Sequence, residues 1–167
     1  MKIVGIDGST NKTGIAVFEN GKYITHILID CHKITDAYER IPKMASEIYK
    51  YLDDVGDIDV IIMEKSVLKT NVAAVQKLSN LAGAIMMYAY QKGIKFEHPI
   101  PTEWRKKIGL QQSSKIKRDI LKAEAILAVK QEYGLDVTDD IAEATLLARS
   151  GFDLPKIEIT EEDVFEA

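Results

Sequence analysis

One cysteine in 167 residues removes two classes of scaffold at once. Cys31 has no partner for an internal disulfide and none at the spacing of a metal finger, so a reducing, cytoplasmic setting is expected. Histidine is scarce as well. His26, His32 and His98 stand at no ligand spacing, which leaves imidazole-based metal chemistry without a site. No apolar run approaches the roughly 18 residues of a membrane span, so no membrane partner is expected. Proline-, glycine- or serine-rich linkers, low-complexity tracts and internal repeats are all missing, and nothing marks a pocket for a small-molecule cofactor. The opening MKIVGIDGS has one lysine and a short apolar stretch before Asp7, which suits a strand opening a domain rather than a secretory signal.

What is present suits one domain with a real core: 46% of residues are hydrophobic and 29% charged. Residues 1–151 read as that domain and 152–167 as an acidic C-terminal tail. The net charge is −4, but it is unevenly spread. Residues 102–122 hold Arg105, Lys106, Lys107, Lys115, Lys117, Arg118 and Lys122 against Glu103 and Asp119, a local balance of +5 that leaves −9 elsewhere. Separated basic and acidic regions suit a protein that grips phosphates in one place and binds cations in another. A solvated helix face would give the same lysine run.

Residues 2–7, 13–19 and 22–30 read as strands, the last two joined by Asn20-Gly21, a pair that tolerates the positive φ of a type I′ hairpin. Residues 36–54 space Ile41, Met44, Ala45, Ile48 and Leu52 as an amphipathic helix, in which Pro42 predicts a kink or a later start. A buried strand over 58–63, a helix rich in small residues over 71–92 and a short strand over 94–98 follow. Trp104 to Lys107 fall in a turn or short helix, with Trp104 anchored on the core. A basic helix over 114–132, capped by Ser113 or Ser114, and a last helix over 138–149 complete an α/β sheet of mixed direction.

Four carboxylates stand out. Asp7 ends the apolar run KIVGID and is followed by Gly8, Ser9 and Thr10, which let a turn approach a phosphate or metal, although Asp-Gly-Ser-Thr is also an ordinary turn. Glu64 ends VIIM, and a lone carboxylate there costs several kcal/mol to bury unless it has a task or an ion pair such as Lys65. Asp140 and Glu143, three apart, share a helix face, but Thr138, the aspartates and Glu143 can equally form a capping box, and Asp139 can pair with Glu143 instead. Neighbouring strands would gather these acids at one sheet end. Such a cluster suits two-metal hydrolysis of a phosphodiester, with two Mg²⁺ ions roughly 3.5–4 Å apart. Mg²⁺ takes hard oxygen ligands and keeps several waters, so carboxylates suffice.

GIDGSTNKTG, IIMEKSV and DDIAEA, in that order over about residues 2–150, resemble the three acidic motifs of the RuvC family of Holliday-junction resolvases, of the ribonuclease H-like superfamily. The resemblance implies a central mixed five-stranded sheet flanked by helices. It selects Asp7, Glu64, Asp140 and Glu143 as ligands for two Mg²⁺, with Mn²⁺ substituting. It further implies paired nicks in four-way DNA junctions that leave 5′-phosphate ends, and a twofold homodimer. The helix over 71–92, with Ala73, Ala74, Ala82, Gly83 and Ala84, is the expected interface. Lys115 falls where the family carries a DNA-contacting lysine, with Arg105 or Lys106 near another; Lys107, Lys117 and Arg118 extend that surface. The short, lysine-rich form and acidic tail look phage-type, which would place the protein in a host cytoplasm. One departure is Val67, where bacterial members carry a phenylalanine that stacks into the junction; valine cannot supply the about 1–3 kcal/mol of such stacking. Other readings are a nuclease of flaps, forks or RNA-containing substrates, and a non-catalytic module that binds branched DNA. An actin-like ATPase would need a duplicated domain for which 167 residues leave no space.

Overall fold

The first strand, β1 (Lys2–Asp7), lies at the centre of a five-stranded sheet in a computed structural model that describes residues 1–66, 71–110, 116–159 and 163. On one side β1 pairs antiparallel with β2 (Lys12–Glu19), which pairs antiparallel with β3 (Lys22–Asp30). The turn between them is the expected hairpin, with Asn20 and Gly21 at φ of 51° and 80°. On the other side β1 pairs parallel with β4 (Val60–Met63), and β4 pairs parallel with β5 (Lys95–Glu97). Helices α1 (Ala37–Val55) and α2 (Val72–Lys92) make the crossovers. The sheet order is β3-β2-β1-β4-β5, the mixed sheet that the alternation of elements implies.

Strand alternation divides the core into two layers. Val4, Ile6, Ile61 and Met63 face α1 and α2, where Met44, Ile48, Leu52, Leu81 and Ile85 meet them. Ile3, Phe18, Val60 and Ile62 face the other way, onto α3 (Pro101–Ile108), α4 (Arg118–Tyr133) and α5 (Asp139–Ser150), which supply Trp104, Ile108, Ala125, Val129 and Leu146. Asp7 and Glu64 continue this second series, so both open toward the α3–α5 side.

Two glycines set how deeply α5 sits. A Cβ on Gly5 would lie 2.2 Å from the Ala144 carbonyl oxygen, and one on Gly14 would lie 2.1 Å from the Asp140 carbonyl oxygen. Gly14 is the cross-strand partner of Asp7, so the first turn of α5 rests on the strand pair beside that acid. Gly14→Ala is therefore expected to lift α5 and cost about 1–3 kcal/mol or more of stability, as overpacking does. Urea unfolding measures it; a change under 0.5 kcal/mol would show that the contact yields freely.

Several element boundaries differ from the sequence reading. Pro42 neither delays nor ends α1: the helix begins at Ala37 behind the Asp36 cap and runs on. Pro42 is exposed, so the Tyr38 carbonyl that its missing N–H would have served can turn to water. Helix α4 begins at Arg118 with Lys117 as its N-cap; the expected serine cap falls on residues 113 and 114, outside the described residues. The chain does not leave the domain after residue 151. Ile157 is buried, its N–H donates to the Ile108 carbonyl at 2.8 Å, and Arg149 Nη2 holds the Pro155 carbonyl at 2.7 Å. Phe152 and Ile159 pack on the same layer. The boundary drawn at 151 misses this return because Arg149 and Ile108 meet the segment only in the folded state. Among the described residues no helix is long and apolar enough to cross a membrane.

Candidate metal centre

The register of two parallel strands brings the first two acids together. Ile6 of β1 lies opposite Met63 of β4, so Asp7 and Glu64 are the next residues on each strand and stand side by side at the carboxyl end of the sheet. Helix α5 then brings Asp140 and Glu143 over the same end, seated by Gly14. Its N-cap is Thr138, which makes no side-chain capping bond, so Glu143 is not part of a capping box. The turn after Asp7 is braced from within: Thr13 Oγ1 donates to the Ser9 carbonyl at 2.7 Å and accepts the Ser9 N–H at 3.2 Å.

The electrostatics separate Asp139 from the other acids of this end. Burial raises Asp139, but the hydrogen bond and charge of Lys122 outweigh it and hold the carboxyl below its ordinary range. Asp140 is raised, first by burial and then by Asp139. Burial raises Glu143 against the opposing charges of Arg105, Arg118 and Lys122. Glu64 is pushed up to about 7 by burial, with Glu143 adding to it and the Trp104 hydrogen bond opposing. Asp7 is raised above the carboxylate range, by burial and then by Glu143, Glu64, Asp140 and Asp139. Four anions crowd one half-buried carboxylate, a field that attracts cations and that protons relieve in their absence.

As the side chains stand, no three His, Cys, Asp or Glu residues among those described are gathered closely enough to hold an ion. Two acids are instead held by α3: Trp104 Nε1 donates to Glu64 Oε2 at 2.7 Å, and Arg105 Nη1 lies 3.7 Å from Glu143 Oε1. The chemistry of the four groups nevertheless fits a hard divalent ion, since all are carboxylates, with oxygen donors sharing one field. Nothing in the sequence marked Trp104 as a neighbour of Glu64; the indole is buried on the core as expected, and its N–H reaches an acid 40 residues earlier.

The basic residues divide. Lys106 and Lys107 of α3 and Lys117 and Arg118 at the start of α4 are exposed, and the Arg118 charge reaches Glu64, Asp140 and Glu143. Arg105 departs from its expected place on a DNA surface. It is 1% exposed, with Nη2 bonded to Glu124 Oε2 at 2.5 Å and to the Leu121 carbonyl at 3.2 Å. Its guanidinium has almost no surface to offer a phosphate. Lys115 and Val67 lie outside the described residues. His98, the one histidine at a strand end, lines a small cavity with Glu64, Met63 and Leu78.

These features define an α/β domain built on a mixed five-stranded sheet, with an acidic, cation-attracting site at the carboxyl end of its central strands. Over residues 3–146 the chain matches the family described as crossover junction endodeoxyribonuclease RuvC, and it belongs to that family. It is 27% identical over 146 residues to the crossover junction endodeoxyribonuclease RuvC of Campylobacter concisus, covering 85% of this chain and 92% of the relative. The fold is similar to Thermus thermophilus RuvC in complex with a Holliday junction substrate, at a TM-score of 0.70 and 16% identity over 90% of this chain and 92% of that one. The Fowlpox virus resolvase bound to Holliday junction DNA is similar at a TM-score of 0.60 and 19% identity, over 90% and 96%.

Proposed function

We propose that this protein resolves four-way DNA junctions by divalent-metal-dependent hydrolysis, with Asp7, Glu64, Asp140 and Glu143 as the ligands of two Mg²⁺ or Mn²⁺ ions. The observation that carries this reading is the in-register placement of Asp7 and Glu64 at the ends of adjacent parallel strands, with α5 laid over them, in a member of the crossover junction family. The bound ions would supply Lewis acidity to the attacked phosphorus and the leaving oxygen. The chain supplies the rest. Burial, and then Glu143, Glu64, Asp140 and Asp139, raise Asp7, so a cation entering beside it would favour its ionised form. Glu64 and Glu143 are held by Trp104 and Arg105. Asp139, already paired with Lys122, tethers α5 to α4 and stays out of the ligand set. The nicked ends would be 5′-phosphate and 3′-hydroxyl.

Lys106, Lys107, Lys115, Lys117 and Arg118 are assigned to the phosphate backbone, which makes junction binding fall steeply with salt. Paired nicks require two sites, which supports a homodimer. Ala73, Ala74 and Gly83 of α2 are exposed, together with Met87 at 55% and Tyr90 at 82%, whereas Ala82 is spent on the core. An exposed apolar face on a helix suits a second copy of the chain. Sedimentation with junction DNA tests this, and monomers alone would exclude it. The lysine-rich stretch and the acidic C-terminal residues support a phage-type enzyme, and the single cysteine supports the reducing cytoplasm of its host.

The deciding experiment compares a synthetic four-way junction with its linear duplex, a flap and a fork, in Mg²⁺. Symmetric paired nicks in the junction alone are expected. Equal cutting of flaps and forks would replace this reading with a broader branched-DNA nuclease. Tight junction binding without cleavage would replace it with a binding module.

A further inference from the structure

Consecutive residues of α3 reach two different acids on two different elements. Trp104 Nε1 bonds Glu64 beyond β4, and Arg105 Nη1 faces Glu143 on α5. Both side chains are interior, at 2% and 1% exposure, so neither is shaped to meet DNA. An indole N–H can only donate. It takes one position on Oε2 and leaves Oε1 and the remaining lone pair of Oε2 to another partner.

Helix α3 is itself pinned at both ends. Before it, the N–H of Lys65, the residue after Glu64, donates to the Pro99 carbonyl at 2.8 Å, and the Ile100 N–H donates to Glu103 Oε2 at 3.0 Å. After it, Gly109 lies so close to the returning C-terminal segment that a Cβ there would be 2.6 Å from the Ile157 carbonyl oxygen. In the middle, Arg105 Nη2 bonds Glu124 of α4. A helix held to three other segments cannot follow the motions of one side chain, so its two reaching groups act as fixed points.

We propose that α3 sets the separation of Glu64 and Glu143, with Trp104 and Arg105 as positioning residues that hold these acids for the incoming cations. The inference rests on the reading of the acids as cation ligands. Outer-layer partners of metal ligands typically change metal affinity or activity about 10–100-fold when removed. The indole bond to Glu64, at 2.7 Å, has the geometry of such a partner, and the Arg105 guanidinium acts on Glu143 through its charge at 3.7 Å; neither competes for the whole carboxylate.

Trp104 is the only tryptophan, which makes its fluorescence a direct report on this contact. The full chain is titrated with MgCl₂ while tryptophan emission and thermal melting are followed. Saturable emission change with the same midpoint as the rise in melting temperature is expected. Trp104→Phe keeps the packing and loses the donor. It is expected to raise the Mg²⁺ concentration for half-maximal junction cleavage about 10–100-fold, with metal-free junction affinity unchanged. Arg105→Lys, which keeps the charge and loses the planar fork, should shift the midpoint the same way by less. If wild type is stabilised by Mg²⁺ and cleaves, yet its emission stays flat and Trp104→Phe keeps the wild-type midpoint, the positioning role is overturned while the cation reading stands. If wild-type melting and cleavage both ignore Mg²⁺, the cation reading fails and this inference fails with it. Should Trp104→Phe not fold, the wild-type emission titration decides alone, and a flat trace overturns the proposal.

Discussion

Glu64→Gln is expected to reduce junction cleavage by at least about 100-fold while leaving junction binding in EDTA intact. The lower bound follows from the behaviour of outer-layer partners, whose loss alone costs about 10–100-fold, so a ligand must cost at least the upper end. Glutamine still offers an oxygen to the Trp104 N–H, which keeps the local packing and confines the change to charge. Removing one anion from the group that crowds Asp7 should, if anything, favour approach of DNA phosphates. Gel-based cleavage and binding of the same labelled junction measure both quantities. A variant that cuts within threefold of wild type would remove Glu64 from the site.

The second large effect is on stability against pH. Glu64 moves from an ordinary value of 4.5 to about 7 in the folded protein, and Asp7, Asp140 and Glu143 are raised with it. Between those two values the folded chain keeps a proton that the unfolded chain has released. Stability is therefore greatest at low pH within this window and falls as pH rises from about 4.5 to about 7. The Glu64 shift alone corresponds to about 3 kcal/mol, or roughly 6–12 °C of melting temperature for a chain of this size. The charges of Arg105, Arg118 and Lys122 oppose the rise at Glu143 without reversing its direction. Millimolar Mg²⁺ at pH 7.5 should restore the lost stability by binding only the folded state. Glu64→Gln should instead melt higher than metal-free wild type at pH 7.5 and show a flatter pH profile. Calorimetry from pH 5 to 8, with and without Mg²⁺, checks this; a metal-free melting temperature that rises with pH would contradict the crowding of the four acids.

Much of this was legible in the residues. β-Branched runs ending in Asp7 and Glu64 read as strands because a buried strand is a continuous apolar run, and Asn20-Gly21 read as a hairpin because both residues accept positive φ. Asp140 and Glu143 read as one helix face by spacing alone. Local rules failed where the deciding contact was distant. Arg105 stood among lysines and read as a phosphate-gripping residue, yet Glu124, 19 residues later, draws it inside. Residues 152–159 read as tail because their anchors, Ile108 and Arg149, lie on α3 and α5. The α4 start moved because helix caps depend on the chain path into the helix as well as on the capping residue.

By itself, then, the sequence determined which residues form strands and helices, which acids end them, and the family to which the chain belongs, since periodicity and motif are properties of neighbouring residues. The tertiary structure alone decided how the acids are held apart: Gly14 under α5, Trp104 on Glu64, Arg105 between Glu124 and Glu143, and Asp139 taken up by Lys122. Each of these joins elements whose approach depends on packing depth, a quantity set by side chains far apart in the chain that meet only when the two core layers close.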